Sequence, residues 1–386
     1  MKAGWQTKRL GDVCEIIKGR KPVLKANSSD GDLPYLVARV MRGSEEAQFA
    51  SVKDRNSVLV AESETIIICD GSNSGEVFTG FQGILSSTMG KLSKKAEIDD
   101  DFLRAFLAST FEIFNGAKTG AAIPHLDKEA MYQLEFPLPP LPEQQRIVGI
   151  LDEAFDGIAT AKANAKKNLQ NARELFENYL RAVFSQSGEG WVETTIGKHI
   201  QFIDYRGRTP EKTESGLRLI TAKNVKMGYL KETPKEFVAP KSYERWMTRG
   251  IPRLGDVLFT TEAPLANVAQ LDTDEKVVFA QRIIIMQPDA ARIDSTFLKY
   301  LLLSPAVQQR IRDKGTGATV KGIKARLLKT IEISFPKSVA DQKQLVVKLN
   351  ALREETERLE SIYQQKLTAL YALKKSLLHQ AFSGQL

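Results

Sequence analysis

Two stretches of this 386-residue chain repeat each other at a constant offset of 198 positions, and this repeat most restricts the possible folds. The string LPEQQRIV at residues 141–148 has the counterpart ADQKQLV at 340–346, and AVFS at 182–185 has the counterpart QAFS at 380–383. No insertion or deletion falls between these anchors, which is typical of a rigid element whose length matters. The intervening segments match poorly, so the pattern predicts a fixed frame that carries two variable domains.

Both repeated stretches have the residue spacing of long helices. From Pro142 to Ser185 apolar or small residues, Leu175 among them, recur at alternating steps of four and three with one gap at Asn168, which is a coiled-coil pattern. The second stretch repeats the pattern, with Thr356 and Lys366 as interruptions. The first stripe is rich in alanine and the second in larger residues, which favours close packing of one on the other. Because helices of this length need a partner along their surface, we expect the two to pair antiparallel.

The two variable segments are predicted to be mixed α and β. Strand-like apolar runs occur in both, at 65–69 in the first and at 256–259, 277–279 and 282–286 in the second. Short helices are predicted at 101–114 and 295–312. The segments align loosely with each other at a drifting offset, so we expect one fold with different loops. The predicted fold class is therefore α+β with a pseudo-two-fold internal repeat, in which mixed α/β domains at 1–141 and 187–338 alternate with long helices at 142–186 and 339–386.

The positive charge of the chain is concentrated in the second variable segment. The whole chain has a net charge of +8. Residues 190–338 carry 25 Lys and Arg against 16 Asp and Glu, a net charge of +9, whereas residues 1–140 carry 17 against 19. A basic domain of this kind indicates a polyanionic partner such as nucleic acid.

The remaining composition argues against several classes of protein. Cys14 and Cys69 stand in apolar runs, which suits buried free thiols in a reducing cytoplasm. The three histidines are far apart in the sequence, so no metal site is expected. No signal peptide and no apolar run of about 18 residues is present, so no contact with a membrane is expected. We find neither a phosphate-binding glycine loop nor the Pro-Pro-aromatic motif of an adenine methyltransferase, so the chain is not expected to be an enzyme.

Three motifs together resemble the specificity subunit of a type I DNA restriction–modification system. They are the start Gly-Trp-x(4)-Leu-Gly at residues 4–11, the string PLPPLPEQQRIV at 137–148, and the ending LLHQAFSGQL at 377–386. The resemblance covers the whole chain. It implies two target recognition domains, each of which reads one half-site of a bipartite sequence in double-stranded DNA. It also implies that the long helices act as a spacer and as a docking surface for two methyltransferase subunits, and that a restriction subunit can join them. S-adenosylmethionine would be bound by the methyltransferase subunits, and no cofactor is expected in this chain.

Candidate DNA contacts in the first variable segment lie in glycine-rich or basic loops, apart from Arg39, which follows a candidate strand. The loop at 70–75 combines two glycines with Ser and Asn, which suits a phosphate or an adenine edge; the alternative is a plain turn. The basic loop at 18–22 suits guanine or phosphate; the alternative is a solvated turn. The loop at 118–121 recurs in the second segment, which favours a shared contact with the DNA backbone over a turn needed only for folding. The candidates are Lys18, Arg20, Lys21, Arg39, Ser72, Asn73, Ser74, Lys118, Thr119 and Gly120.

Candidates in the second variable segment follow the same logic with one departure. The counterpart of the 70–75 loop reads TTEAPL at 260–265 and has no glycine, which puts the equivalence in doubt. Glu262 in this loop would repel phosphate unless its carboxylate accepts a hydrogen bond from a cytosine amino group. The basic cluster at 321–329 has a solvated helix face as its alternative. The candidates are Arg206, Arg208, Lys223, Asn224, Thr316, Gly317, Thr319, Lys321, Lys324 and Arg326.

Two other functions remain open from the residues alone. A non-enzymatic coiled-coil scaffold, or a protein that binds DNA without sequence specificity, predicts no sequence preference. An enzyme such as a nuclease or methyltransferase predicts activity without partners, and the absent motifs weigh against it.

Overall fold

The computed structural model describes residues 4–116, 125–205, 210–317 and 319–386, without the side chains of 114–116. The strands of the first repeat are β1 (Gln6–Arg9), β2 (Cys14–Lys18), β3 (Asp32–Leu36), β4 (Phe49–Ser51), β5 (Leu59–Val60), β6 (Ile66–Ile68), β7 (Val77–Phe78), β8 (Gly83–Leu85), β9 (Met89–Lys94) and β10 (Glu135–Leu138). Those of the second repeat are β11 (Trp191–Thr195), β12 (Ile200–Asp204), β13 (Leu217–Ile220), β14 (Phe237–Val238), β15 (Val257–Thr260), β16 (Val268–Gln270), β17 (Val278–Phe279), β18 (Ile283–Pro288) and β19 (Glu332–Pro336).

The helices include two that are far longer than the rest, α5 and α11. In chain order they are α1 (Leu10–Val13), α2 (Ala38–Met41), α3 (Asp100–Gly116), α4 (Lys128–Tyr132), α5 (Leu141–Phe184), α6 (Ile196–His199), α7 (Tyr243–Trp246), α8 (Ser295–Leu303), α9 (Pro305–Lys314), α10 (Ala325–Leu328) and α11 (Val339–Ser383). The sequence predicted one helix at 295–312, whereas the structure has two, because Pro305 starts a new helix after the extended residue Ser304.

The chain forms two compact units, and each contains parts of both long helices. The first unit comprises Met1–Ala165 and Gln365–Leu386, and the second comprises Lys166–Gln364. Each variable segment therefore forms one compact unit with parts of both long helices. It packs on one end of α5 and on the opposite end of α11.

The two units share one sheet topology. In the first unit an antiparallel sheet has the order β2-β9-β6-β7, and in the second the order is β12-β18-β15-β16. A further sheet contains a parallel pair in both units, β3 with β8 and β13 with β17. Each unit also has an antiparallel pair that joins its first and last strands, β1 with β10 and β11 with β19. This correspondence confirms the predicted internal repeat.

The core of each unit lies between its antiparallel sheet and the long helices. In the first unit Phe102 and Phe136 are fully buried, and the Phe102 ring lies 5.2 Å from that of Phe382 on α11. In the second unit Phe297 is fully buried and its ring lies 5.3 Å from that of Phe184 on α5. Burial of each such ring contributes about 1.5–3 kcal/mol to folding. The sheet domains are therefore attached to the helices by shared core residues.

The two long helices run antiparallel within each unit, as predicted. In the first unit Ile147 of α5 shares a core with Leu378 of α11, so the start of one helix meets the end of the other. In the second unit the Nε of Arg173 on α5 lies 2.8 Å from a carboxylate oxygen of Glu360 on α11. Residues late in α5 thus meet residues in the first half of α11.

Part of the predicted apolar stripe was wrong in detail. Leu175 was assigned to the buried face, but it is 50% exposed; Ala172 is buried as predicted, and the next buried residue of this face is Leu180, which was not in the predicted stripe. Thr356 was counted as an interruption, but it is only 3% exposed. Its hydroxyl donates to the backbone oxygen of Arg353, 2.9 Å away, which satisfies the hydroxyl inside the interface.

A buried glutamine explains the repeated string at the start of each long helix. The Nε2 of Gln144 donates to the backbone oxygen of Pro139, and its Oε1 accepts from the backbone N–H of Asp99, at 2.8 and 2.9 Å. Gln342 makes the same two bonds, with the same two lengths, to Pro336 and Asp294. Both glutamines are at most 1% exposed. Each one ties the last strand of a domain, the next long helix and the N-cap of α3 or α8 together, and we call this contact the glutamine joint.

Candidate nucleic-acid interface

The glycine-rich loop of the first unit connects β6 to β7 and lines a cleft. Asp70, Ser72 and Asn73 border this space of about 460 Å³ together with Arg39 and Arg42 of the segment that follows β3. Arg39 is 79% exposed at its side chain, with Glu45 3.7 Å away. The structure thus brings together Arg39, Ser72 and Asn73, which are far apart in the sequence.

Asp70, which lines this cleft, belongs to a cluster of three charged or titratable groups. The Nζ of Lys18 lies 2.8 Å from one carboxylate oxygen of Asp70, and the Nδ1 of His125 lies 2.8 Å from the other. Partial burial alone would raise the pKa of Asp70, but the hydrogen bonds and charges of Lys18 and His125 hold that pKa below its ordinary value. Lys18 therefore reaches the candidate interface as part of an ion pair rather than as an isolated cation.

The other candidates of the first segment differ in their placement. Arg20 and Lys21 are exposed in the loop after β2. Ser74 is fully buried, and its hydroxyl has no partner among the described residues, which argues against the predicted contact of this side chain with DNA. The candidates Lys118, Thr119, Gly120, Arg206 and Arg208 lie outside the described residues.

The loop between β15 and β16 occupies the same position in the second unit. The backbone N–H of Thr261 donates to Arg282, as that of Cys69 donates to Thr88, at 3.0 and 2.9 Å. The backbone oxygen of Thr261 accepts from Ile323, as that of Cys69 accepts from Leu126, at 2.9 and 2.8 Å. Glu262 therefore stands where Asp70 stands in the first unit, and the equivalence that the missing glycines put in doubt is real.

This second loop turns without glycine by placing two alanines in the left-handed region. Ala263 has a φ of 44° and Ala266 a φ of 68°. Left-handed conformations of non-glycine residues cost free energy and cluster at functional sites. Beside the loop, the Nε of Arg282 lies 3.0 Å from a carboxylate oxygen of Glu262.

A closed loop at 316–322 lies next to Glu262. Thr316 and Gly322 exchange two backbone hydrogen bonds of 2.8 and 2.9 Å, and Gly322 also forms a β-bridge with Glu262. The closed loop exposes the candidates Thr316, Gly317, Thr319 and Lys321. Lys324 and Arg326 follow at the start of α10, and both are exposed.

Arg39 and Lys223 are equivalent residues of the two units. The paired residues Leu36 and Leu85 of the first unit correspond to Ile220 and Phe279 of the second, and each basic residue comes three positions after its strand. Lys223 is exposed like Arg39. The same surface position thus carries a positive charge in both copies.

Asn224 does not fit the predicted contact with DNA. It is 1% exposed, its Oδ1 accepts from the backbone N–H and hydroxyl of Thr221, and its Nδ2 donates to the backbone oxygens of Lys231 and Pro234. All of its hydrogen-bonding capacity is therefore spent on the loop after β13.

Sequence reasoning missed three residues of these sites, Arg42, His125 and Arg282. Each comes together with its acidic partner only through the fold: Arg42 pairs with Glu76, His125 with Asp70 and Arg282 with Glu262. The one available signal was an acid in each of the two corresponding loops, Asp70 in the loop at 70–75 and Glu262 in the loop at 260–265.

The described residues hold no cluster of His, Cys, Asp and Glu that could bind a metal ion. Both cysteines are buried and free, and burial raises the pKa of each thiol to about 11. In the same described part of the chain, no helix has both the length and the apolar character needed to cross a membrane.

Comparison with known proteins finds the same similarity throughout. A family model described as the type I restriction modification DNA specificity domain matches residues 2–171. The type I restriction enzyme MjaVIII specificity subunit of Methanocaldococcus jannaschii is 26% identical over 408 residues, which cover 99% of this chain and 93% of that protein. The type I restriction enzyme EcoBI specificity subunit of Escherichia coli is 19% identical, over 93% of this chain and 81% of that protein.

Solved structures show the same fold. A chain from a study of complex assembly and conformational transition of the type I R-M system superposes with a TM-score of 0.77 at 18% identity, over 100% of this chain and 99% of that chain. The HsdS subunit from Thermoanaerobacter tengcongensis superposes with a TM-score of 0.59 at 17% identity, over 100% and 98%.

Proposed function

Because the chain belongs to the family of type I restriction–modification specificity subunits, we propose that it reads a bipartite DNA target, with one half-site for each unit. In this proposal the loops that follow β6 and β3 in the first unit face one half-site. The equivalent loops after β15 and β13, together with the closed loop at 316–322, face the other. The chain itself performs no chemistry and directs a catalytic partner to its target.

One observation supports this proposal over a role as a scaffold. The two units have the same strand order and the same loop positions, but different side chains stand at those positions. Asp70 with Lys18 and His125 in one unit corresponds to Glu262 with Arg282 in the other. A scaffold would have no reason to vary the exposed loop residues on a constant backbone, whereas a reader of two different half-sites requires it.

The long helices serve the same proposal as a spacer and as a docking surface. We expect two methyltransferase subunits to bind the chain and a restriction subunit to join the complex. S-adenosylmethionine would bind to the methyltransferase subunits, and this chain is expected to hold no cofactor. The buried, reduced thiols suit action in the cytoplasm.

The test is to co-express the chain with the methyltransferase of its own system in a host without DNA methylation, and to map methylated adenines across the genome. We expect a single split motif with a fixed gap. A contiguous motif would mean that one unit reads alone. A soluble complex that methylates no motif would reject the proposal in favour of a scaffold without sequence specificity.

A further inference from the structure

We propose that Glu262 and Arg282 act together as the reader of one G·C base pair in the half-site of the second unit. This inference rests on the proposed function and names the chemistry that one of its loops recognises. From the sequence alone, Glu262 would repel phosphate unless it reads a cytosine amino group, and its partner Arg282 was not considered.

The geometry presents both side chains to solvent side by side. Each is 46% exposed, and the Nε of Arg282 lies 3.0 Å from Oε1 of Glu262. The contact is an ion pair, and no side-chain hydrogen bond of either residue occurs among the residues that the structure describes. The ion pair joins Nε to Oε1, so the two terminal nitrogens of the guanidinium remain available as donors and Oε2 of the carboxylate as an acceptor.

This order of groups matches the major-groove edge of a G·C pair. Guanine presents N7 and O6 as adjacent acceptors, and cytosine presents its N4 amino group as a donor beside them. Two guanidinium donors and one carboxylate acceptor complement all three. An A·T pair presents a donor where the guanidinium requires an acceptor, so the pair would discriminate against it.

The surrounding backbone holds the pair in place. Thr261, next to Glu262, donates its backbone N–H to the oxygen of Arg282, which fixes the two residues to each other. Gly322 lies against Glu262, where a Cβ would come 3.2 Å from the Glu262 Cβ and 3.5 Å from Oε2. The absent side chain at 322 thus leaves room for the carboxylate. In the first unit Thr88 takes the place of Arg282, so that unit must read a different edge.

The experiment compares Arg282→Ala, Arg282→Lys and Glu262→Gln in the complete complex with its methyltransferase. Methylated adenines are mapped genome-wide, and binding to duplexes with each base pair at the affected position is measured. We expect one G·C position in one half-site to become degenerate, with discrimination reduced about 5- to 150-fold, while the gap and the other half-site stay unchanged. Lysine keeps the charge but loses the paired donors, so Arg282→Lys should also relax the position.

Arg292→Ala is the matched control, because Arg292 is exposed in the same unit and follows β18, whereas Arg282 precedes it. Thermal unfolding of each complex separates loss of folding from loss of reading. An unchanged motif in Arg282→Ala, or relaxation at an A·T position, would overturn the inference. Relaxation in both half-sites would overturn it too. A wild-type complex without a split motif would instead reject the proposed function, and this inference with it.

Discussion

Asn224 and Lys223 are neighbours in the sequence, but Asn224 is buried and Lys223 is exposed. The buried amide of Asn224 holds the loop after β13, so we expect Asn224→Ala to lower the free energy of unfolding by about 1–3 kcal/mol. Chemical denaturation of the purified chain measures this. Unchanged stability together with lost DNA binding would restore the contact with DNA that the sequence predicted.

Lys223→Ala should show the opposite behaviour. The side chain is exposed, so stability should change by less than about 0.5 kcal/mol. Binding should weaken equally for all DNA sequences, and the slope of log affinity against log salt should fall by about 0.9, the value for one lost phosphate contact. Lys337→Ala, an exposed lysine just before α11, is the control and should leave the slope unchanged.

Asp70 makes stability depend on pH in a defined direction. Its pKa is held below its ordinary value in the folded chain, so the ionised carboxylate stabilises the fold at every pH above the unfolded value of about 3.9. This stabilisation is lost as the pH falls through the lower folded pKa. We therefore expect Asp70→Asn to be less stable than the wild type at neutral pH, with the difference shrinking below about pH 4. A difference independent of pH would show that the carboxylate charge is not its source.

The exposure of basic candidates such as Arg20, Lys21 and Lys324 was predictable from the sequence, because lysine and arginine are rarely fully buried. Their contact with DNA stays a prediction. Predictions from the sequence were wrong where a tertiary contact determines whether a side chain is exposed. Asn224 and Ser74 look like surface residues in the sequence, and only the packing of neighbouring strands buries them. The ion pair of Arg282 with Glu262 joins residues twenty positions apart, which an antiparallel strand pair brings together, and no local sequence pattern predicts it.

At the scale of elements, the long helices were the most predictable part of the chain. Their repeated spacing and gapless offset predicted both helices to within three residues at either end. The buried face was predicted less well. A stripe drawn at steps of three and four drifts relative to a helix with 3.6 residues per turn, so Leu175 was placed on the wrong side of α5. Short strands inside apolar runs, such as β6 and β17, were predicted, whereas β5 left no signal of its own.

If the long helices set the gap between the half-sites, as proposed, lengthening both should alter the gap alone. Seven residues inserted after Ala165 and seven after Gln364 keep the apolar face of each helix in register. Mapping of methylated adenines should then show a changed gap between unchanged half-sites. The same insertion at 187–188, in the exposed segment after α5, should leave the gap as it was. Loss of methylation at every gap length, with a stable complex, would count against a role as spacer.

At the scale of the whole molecule, the uneven charge predicts an uneven response to salt. Lys321, Lys324 and Arg326 have no ion pair among the described residues, whereas Lys18, Arg39 and Arg42 each face an acid. Cations already compensated by carboxylates release fewer counterions when DNA binds. Replacing Lys321, Lys324 and Arg326 by alanine should therefore reduce the salt slope of DNA binding more than replacing the three basic residues that face an acid. Equal reductions in titrations of the full complex would contradict this expectation.

The glutamine joint has a consequence for how such a chain can change over evolutionary time. Gln144 and Gln342 make matching hydrogen bonds to backbone groups, so each sheet domain contacts its long helix through the same glutamine joint. A recombination event with crossovers inside the helices would transfer a domain together with its glutamine joint. The receiving gene would then need no further substitution at the contact between domain and helix. A lineage could thus acquire a new DNA target sequence in one genetic step, by exchange of a domain, instead of by slow accumulation of substitutions in its loops.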